Sequence, residues 1–155
     1  GFIKGNNYQR QGEALYKMKE GVGAVNEAVS ALKRQKPLPP LTLSRGLSAA
    51  ARDHAKDLAK TVRTGHDGSD KSTPMMRMNR YGMWKKASGE NISYGARTAR
   101  DIVVWLIVDD GIKSRVHRKT IFHNLYRVVG VSVNEAHPSY GIISVQDFAA
   151  EYLEK

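Results

Sequence analysis

A chain of 155 residues suits a single hydrophobic core, since domains of roughly 100–200 residues bury enough apolar surface without splitting. With 41% hydrophobic and 26% charged residues the composition excludes a disordered or collagen-like chain. The lack of cysteine excludes disulfides, thiolate zinc sites and a cysteine nucleophile.

The net charge of +10 favours anionic partners. The basic clusters at Lys33-Arg34, Lys85-Lys86 and Arg115 to Lys119 carry no interleaved aromatics, so specific nucleic-acid recognition is not expected. The longest apolar run, Ile102 to Val108, is too short for the roughly 18–20 residues of a membrane span and is closed by Asp109 and Asp110.

The opening residues Gly1 to Asn7 lack the charged, apolar and small-residue succession of a signal peptide. An export leader, or a lipid-bearing cysteine acting as an anchor, would stand upstream of Gly1. Residues 1–12 read as an N-terminal extension of one domain spanning 1–155, with its core at about 13–148.

From Leu15, the residues Met18, Val22, Val25, Val29 and Leu32 recur at spacings of three and four, predicting a helix with one buried stripe. Pro37, Pro39 and Pro40 end it. A second helix, carrying Leu47, Ala51, Ala55, Leu58 and Val62, starts at a Ser44 cap and runs to about Arg63.

Residues 72–82 read as a short helix with Ser72 or Thr73 as cap, Pro74 in its first turn and Gly82 after its end. A further helix opens at Thr98, with Asp101 three residues on, and stops at Gly111. Two β runs follow, 127–133 and 140–145, which should pair antiparallel, while 91–94 is a third, shorter strand. The tail from Asp147 to Lys155 reads as a terminal helix or a fraying end. Helices first and strands later, without βαβ alternation, imply an α/β (α+β) layered domain.

Among five histidines, His54 lies in the apolar stripe of the second helix and reads as a packed core residue. His123 and His137 have no acidic partner at ligand spacing and read as surface or packing residues. His66 stands in the polar loop 65–70, where glycines let the backbone turn and leave the ring accessible. Glu90 lies between Gly89 and Asn91 at the entry to a strand, and His117 in a basic loop, 113–119. Local spacing alone does not bring these three together.

Gly65-His66-Asp67-Gly68-Ser69, then Gly89-Glu90-Asn91-Ile92 with Tyr94-Gly95, then His117-Arg118-Lys119-Thr120-Ile121-Phe122 leading to Val129-Gly130-Val131, closely resembles bacterial members of the CAP superfamily. That superfamily comprises the cysteine-rich secretory, antigen 5 and pathogenesis-related proteins, which share the SCP domain. The resemblance covers about Glu13 to Phe148.

It implies a three-layer αβα sandwich with a central antiparallel sheet and a cleft holding a tetrad of two histidines and two acids. His66, Glu90 and His117 match three members. Asp109, with Asp110 as the alternative, stands where many relatives have a glutamate after a tryptophan. Aspartate is one methylene shorter, so no cofactor is required, although Zn²⁺ at His66, His117 and Glu90 is the metal the resemblance would allow.

The resemblance further implies a secreted or outer-surface protein that binds a lipid, a sterol or a host surface molecule without turnover. Two alternatives stand beside it. One is a metal-dependent, protease-like hydrolase using the same cleft. The other is a basic adhesin for acidic glycans or lipids. Met75, Met76, Met78, Met83 and Trp84 are candidate lipid contacts, because flexible thioethers repack around an apolar guest; their spacing suits ordinary core packing as well.

Overall fold

The computed structural model describes residues 2–9 and 16–155. Three short strands, β1 (Phe2–Lys4), β2 (Asn7–Gln9) and β3 (Tyr16–Lys17), form a small antiparallel sheet ahead of helix α1 (Val22–Arg34). The helix expected from Leu15 therefore starts only at Val22; Leu15 itself lies outside the described residues. Gly21 sets the boundary, with φ at 65° and a backbone so close to Asn6 that a Cβ would lie 2.3 Å from its side-chain oxygen.

The phase of α1 also differs from the expected stripe. Ala24 and Ala28 are buried against Met18 and Val108, whereas Val22, Val29 and Leu32 are 41–46% exposed. Small side chains on the buried face let the helix sit close to its neighbour, so the larger residues fall outside.

Helix α2 is preceded by strand β4 (Thr42–Leu43) and spans Arg45–Thr61; the Ser44 hydroxyl accepts from the Leu47 amide, and Val62 closes the helix in a left-handed conformation. Helix α3 (Pro74–Tyr81) is capped by Thr73. Strand β5 (Gly82–Tyr94) is far longer than the expected 91–94, because its first half is polar edge strand without an apolar alternation to mark it. Helix α4 (Ala99–Val108) has the expected Thr98–Asp101 cap.

Helix α5 (Val116–Ile121) replaces the basic loop expected around His117. Strands β6 (Val128–His137) and β7 (Gly141–Glu154) pair antiparallel as expected. β7 continues through the tail, which is therefore neither a terminal helix nor a fraying end: it pairs with β5 as far as Glu154 against Gly82.

The main sheet runs β4-β6-β7-β5, antiparallel except where β4 lies parallel to β6. Alternation along β7 assigns its faces. Val145 and Ala149, with Ile143, pack on α2, and Met78 of α3 joins Ala149. Phe148 stacks on Tyr126 on the other side, toward α5. Helices thus lie on both faces, which makes the αβα sandwich. Between Lys85 and Ser88 a bulge shifts the β5–β7 register, with Lys86 at φ 67°.

Candidate functional site

Glu90 projects from β5 toward α2 and α3 because its cross-strand partner is Asp147, on the same face as Val145 and Ala149. Its side chain is 1% exposed. One oxygen meets His66 Nδ1 at 2.7 Å; the other accepts from the Arg77 guanidinium at 2.8 Å. Arg77 also donates to the carbonyls of His66 (2.9 Å) and Ser72 (2.8 Å), fastening the 65–72 loop onto α3. The glycine-rich loop is therefore held in place from below, with the His66 ring 48% exposed above it.

Burial alone would raise the pKa of Glu90, but the His66 hydrogen bond and the charge of Arg77 outweigh it and hold the carboxyl below its usual range. Asp147 behaves oppositely. It is fully buried, no donor faces either oxygen, and burial next to the Glu90 charge pushes its pKa well up, against a smaller opposing effect of Arg77. Keeping its proton lets Asp147 donate to the neighbouring carboxylate.

His117 lies on α5. Its Nδ1 meets Asp109 Oδ1 at 2.7 Å, and its backbone N–H donates to Asp109 Oδ2 at 2.9 Å. Asp109 ends α4 in a left-handed conformation with its side chain 2% exposed, so one carboxylate joins the end of α4 to the start of α5. It is Asp109, not Asp110, that meets His117. Asp110 instead accepts from the amides of Lys19 and Glu20 and anchors the approach to α1.

The four residues thus assemble as two pairs, His66–Glu90 and His117–Asp109. Both attach to β5: Glu90 from one face, and from the other Asn91, whose amide donates to the His117 carbonyl at 3.0 Å. Among the described residues no three histidines, cysteines or carboxylates are placed to hold a metal ion. Glu90 and Asp109 each spend both oxygens internally, and each imidazole spends Nδ1. Nε2 of each ring makes none of these bonds; two imidazole nitrogens are fewer than the three or four protein ligands of an ordinary zinc site, while each carboxylate oxygen keeps a further lone pair. Among the described residues no hydroxyl hydrogen-bonds to either imidazole.

The methionine-rich segment does not present one face. Met78 is fully buried with Leu47, Ala50 and Ala149, and half-buried Trp84 packs on that cluster. Met75, Met76 and Met83 are 42%, 56% and 58% exposed. Met83 pairs across the sheet with exposed Leu153, and both line an open groove of about 420 Å³ with Asn79, Gly82, Glu154 and Lys155.

His54 is fully buried and donates from Nε2 to the Gly65 carbonyl at 2.9 Å, a packing role that also supports the loop bearing His66. His137 is buried as well, its Nδ1 accepting from the Ser139 and Tyr140 amides, and His123 stacks on Tyr126. The sequence reading missed Arg77 and Asp147. Asp147 could have been found, since Ile143, Val145, Asp147 and Ala149 keep one period-two face. Arg77, set between Met76 and Met78, gave no such signal.

Comparison with known proteins identifies the family and the fold. Residues 7–148 match the family model for the cysteine-rich secretory protein (CAP) family. The uncharacterized protein YkwD of Bacillus subtilis is 29% identical over 125 residues, 80% of this chain and 45% of its own length, so the chain spans less than half of that relative. Two solved structures share the fold at 19% identity and a TM-score of 0.61 each. An outer surface protein of Borrelia burgdorferi is matched over 86% of this chain and 92% of its own. An extracellular SCP-domain protein of Bacillus anthracis is matched over 91% and 48%. On the family match over most of its length, carried by a mixed sheet between helical layers, this chain belongs to the cysteine-rich secretory protein (CAP) family.

Proposed function

We propose that this domain is an extracellular or cell-surface binding module that holds an apolar ligand, a lipid or sterol, without turnover. The observation that carries the reading is the internal use of both acids: Glu90 and Asp109 each commit both oxygens to His66, Arg77 and His117, so they act as fasteners of the fold. The extracellular and outer-surface character of two structural relatives supports the location, and no helix among the described residues is long and apolar enough to cross a membrane.

Exposed Met75, Met76 and Met83, with Leu153, offer the apolar contact surface. A fluorescent sterol or fatty acid is expected to bind saturably at micromolar concentration, and Met83→Gln with Leu153→Gln to weaken it while the melting temperature holds. Non-saturable binding to the wild type sinks the lipid reading and leaves a host surface molecule as the ligand to seek. Elemental analysis of purified protein, with turnover assays of His66→Ala and His117→Ala, tests the hydrolase alternative. Stoichiometric metal together with turnover lost in both variants would replace the binding reading.

A further inference from the structure

Helix α2 carries Arg45, Arg52, Lys56 and Lys60, all exposed. At about 100° per residue, Arg52, Lys56 and Lys60 lie at about −20°, 20° and 60° from Arg45, so the four cations share a sector about 80° wide. At 1.5 Å per residue they span roughly 22 Å. The two acids of the helix lie to one side of that sector and are engaged elsewhere. Asp53 accepts from Arg80 (3.1 Å) and the Tyr81 hydroxyl (2.9 Å), and Asp57 from the Ser69 amide (2.7 Å) and hydroxyl. Glu154, which feels the Arg45 charge, is bound to the Ser44 hydroxyl and the Gly46 amide.

This placement works against the helix itself. Arg52, Lys56 and Lys60 stand four residues apart as like charges, and Arg45 sits at the positive end of the helix dipole, with no acid in the first turn. Residues that break local rules on a well-formed element mark a use other than stability. The opposite face is the most deeply buried of any helix here, with Leu47, Ala50, Ala51 and Leu58 at 0% exposure, so the four charges ride on a fixed platform.

We infer that the outer face of α2 is a docking surface for a linear, densely anionic polysaccharide. A band of cations running the length of the helix, evenly spaced at four residues over Arg52, Lys56 and Lys60 with Arg45 seven residues before them, matches a polymer with charges along its length. A membrane would call for apolar residues among the cations; within α2 no large hydrophobic residue is exposed, and exposed Leu43 and Val62 lie beyond its two ends. Single-stranded nucleic acid would call for stacking aromatics, and α2 has no Phe, Tyr or Trp. None of the four cations lines the Met83 groove; Arg45 adjoins its rim at Glu154, whereas Arg52, Lys56 and Lys60, the residues varied below, do not touch it, so this inference is tested independently of lipid binding.

The test measures binding to heparin, a linear sulfated polysaccharide, across a salt series. It compares the wild type with R52E/K56E/K60E and with K33E/R34E/K36E, which makes the same charge change at the end of α1. The wild type should bind with affinity falling steeply with salt. The α2 variant should lose at least tenfold and show a flatter salt dependence, while the α1 variant loses less than threefold. Melting temperatures confirm folding; should the α2 triple variant unfold, the single alanine variants Arg52→Ala, Lys56→Ala and Lys60→Ala replace it. Equal losses in both triple variants, no binding by the wild type, or equally tight wild-type binding to phosphatidylserine vesicles or duplex DNA would overturn it.

Discussion

The Arg77–Glu90 pair shows what two buried charges demand of their surroundings. Each side chain is 1% exposed, and the guanidinium is further satisfied by the carbonyls of His66 and Ser72. Glu90→Ala would strand that charge in the interior, at a cost of about 3–5 kcal/mol in urea denaturation. Asp147 adds a pH signature. Its folded pKa is raised, so the native state holds a proton that the unfolded chain has released above about pH 4, and stability falls with rising pH until the folded pKa is passed. Asp147→Asn removes that slope. The melting temperature of the variant relative to wild type should therefore be more favourable at pH 7.5 than at pH 4; an unchanged difference would contradict the assignment.

At the scale of elements, the tightest of the described glycine positions lies between α2 and β6. A Cβ on Gly130 would fall 2.1 Å from the Leu47 carbonyl carbon and 2.2 Å from the Ser48 nitrogen, backbone atoms that cannot step aside. Gly130→Ala must push the helix off the sheet. A loss of about 1–3 kcal/mol is expected in chemical denaturation, although the added group is a single methyl. Helices α2 and α4 were legible because each combines a capping hydroxyl with a period that its own buried residues keep, and α3 because Thr73, Pro74 and Gly82 mark its two ends. α1 was misread because its apolar spacing ran through a strand and a turn, and because alanines occupy the buried face. α5 is one short polar turn-and-a-half, and the first half of β5 and the end of β7 carry too little alternation to be seen. The candidate site divided the same way: His66, Glu90 and His117 stood in recognisable surroundings, Asp147 carried a period-two signal that went unread, and Arg77 became visible only once α3 had set its guanidinium against Glu90.

Across the whole molecule, many carboxylates titrate below their ordinary range. Hydrogen bonds from Arg115 hold Glu20 down to about 2; Ser72 and Arg80 lower Asp70, Lys86 lowers Glu151, and Ser44 lowers Glu154. Because these folded pKa values are depressed, their contribution is present above about pH 4.5 and is lost as pH falls through the folded values. The melting temperature should drop steadily between about pH 4 and pH 2, where the growing positive charge of an already basic chain adds self-repulsion. A flat profile over that range would mean that the ion pairs contribute nothing.

The bulge at Lys86 bears on how copies of this protein coexist. β5 is the outermost strand of its sheet and, at thirteen residues, long enough to template the strand of a second molecule. Lys86 in a left-handed conformation breaks the row of outward amides and carbonyls, and Lys85 beside it sets a second charge against any incoming strand. The irregularity therefore interrupts, along the exposed first half of β5, the regular pattern an added strand would need.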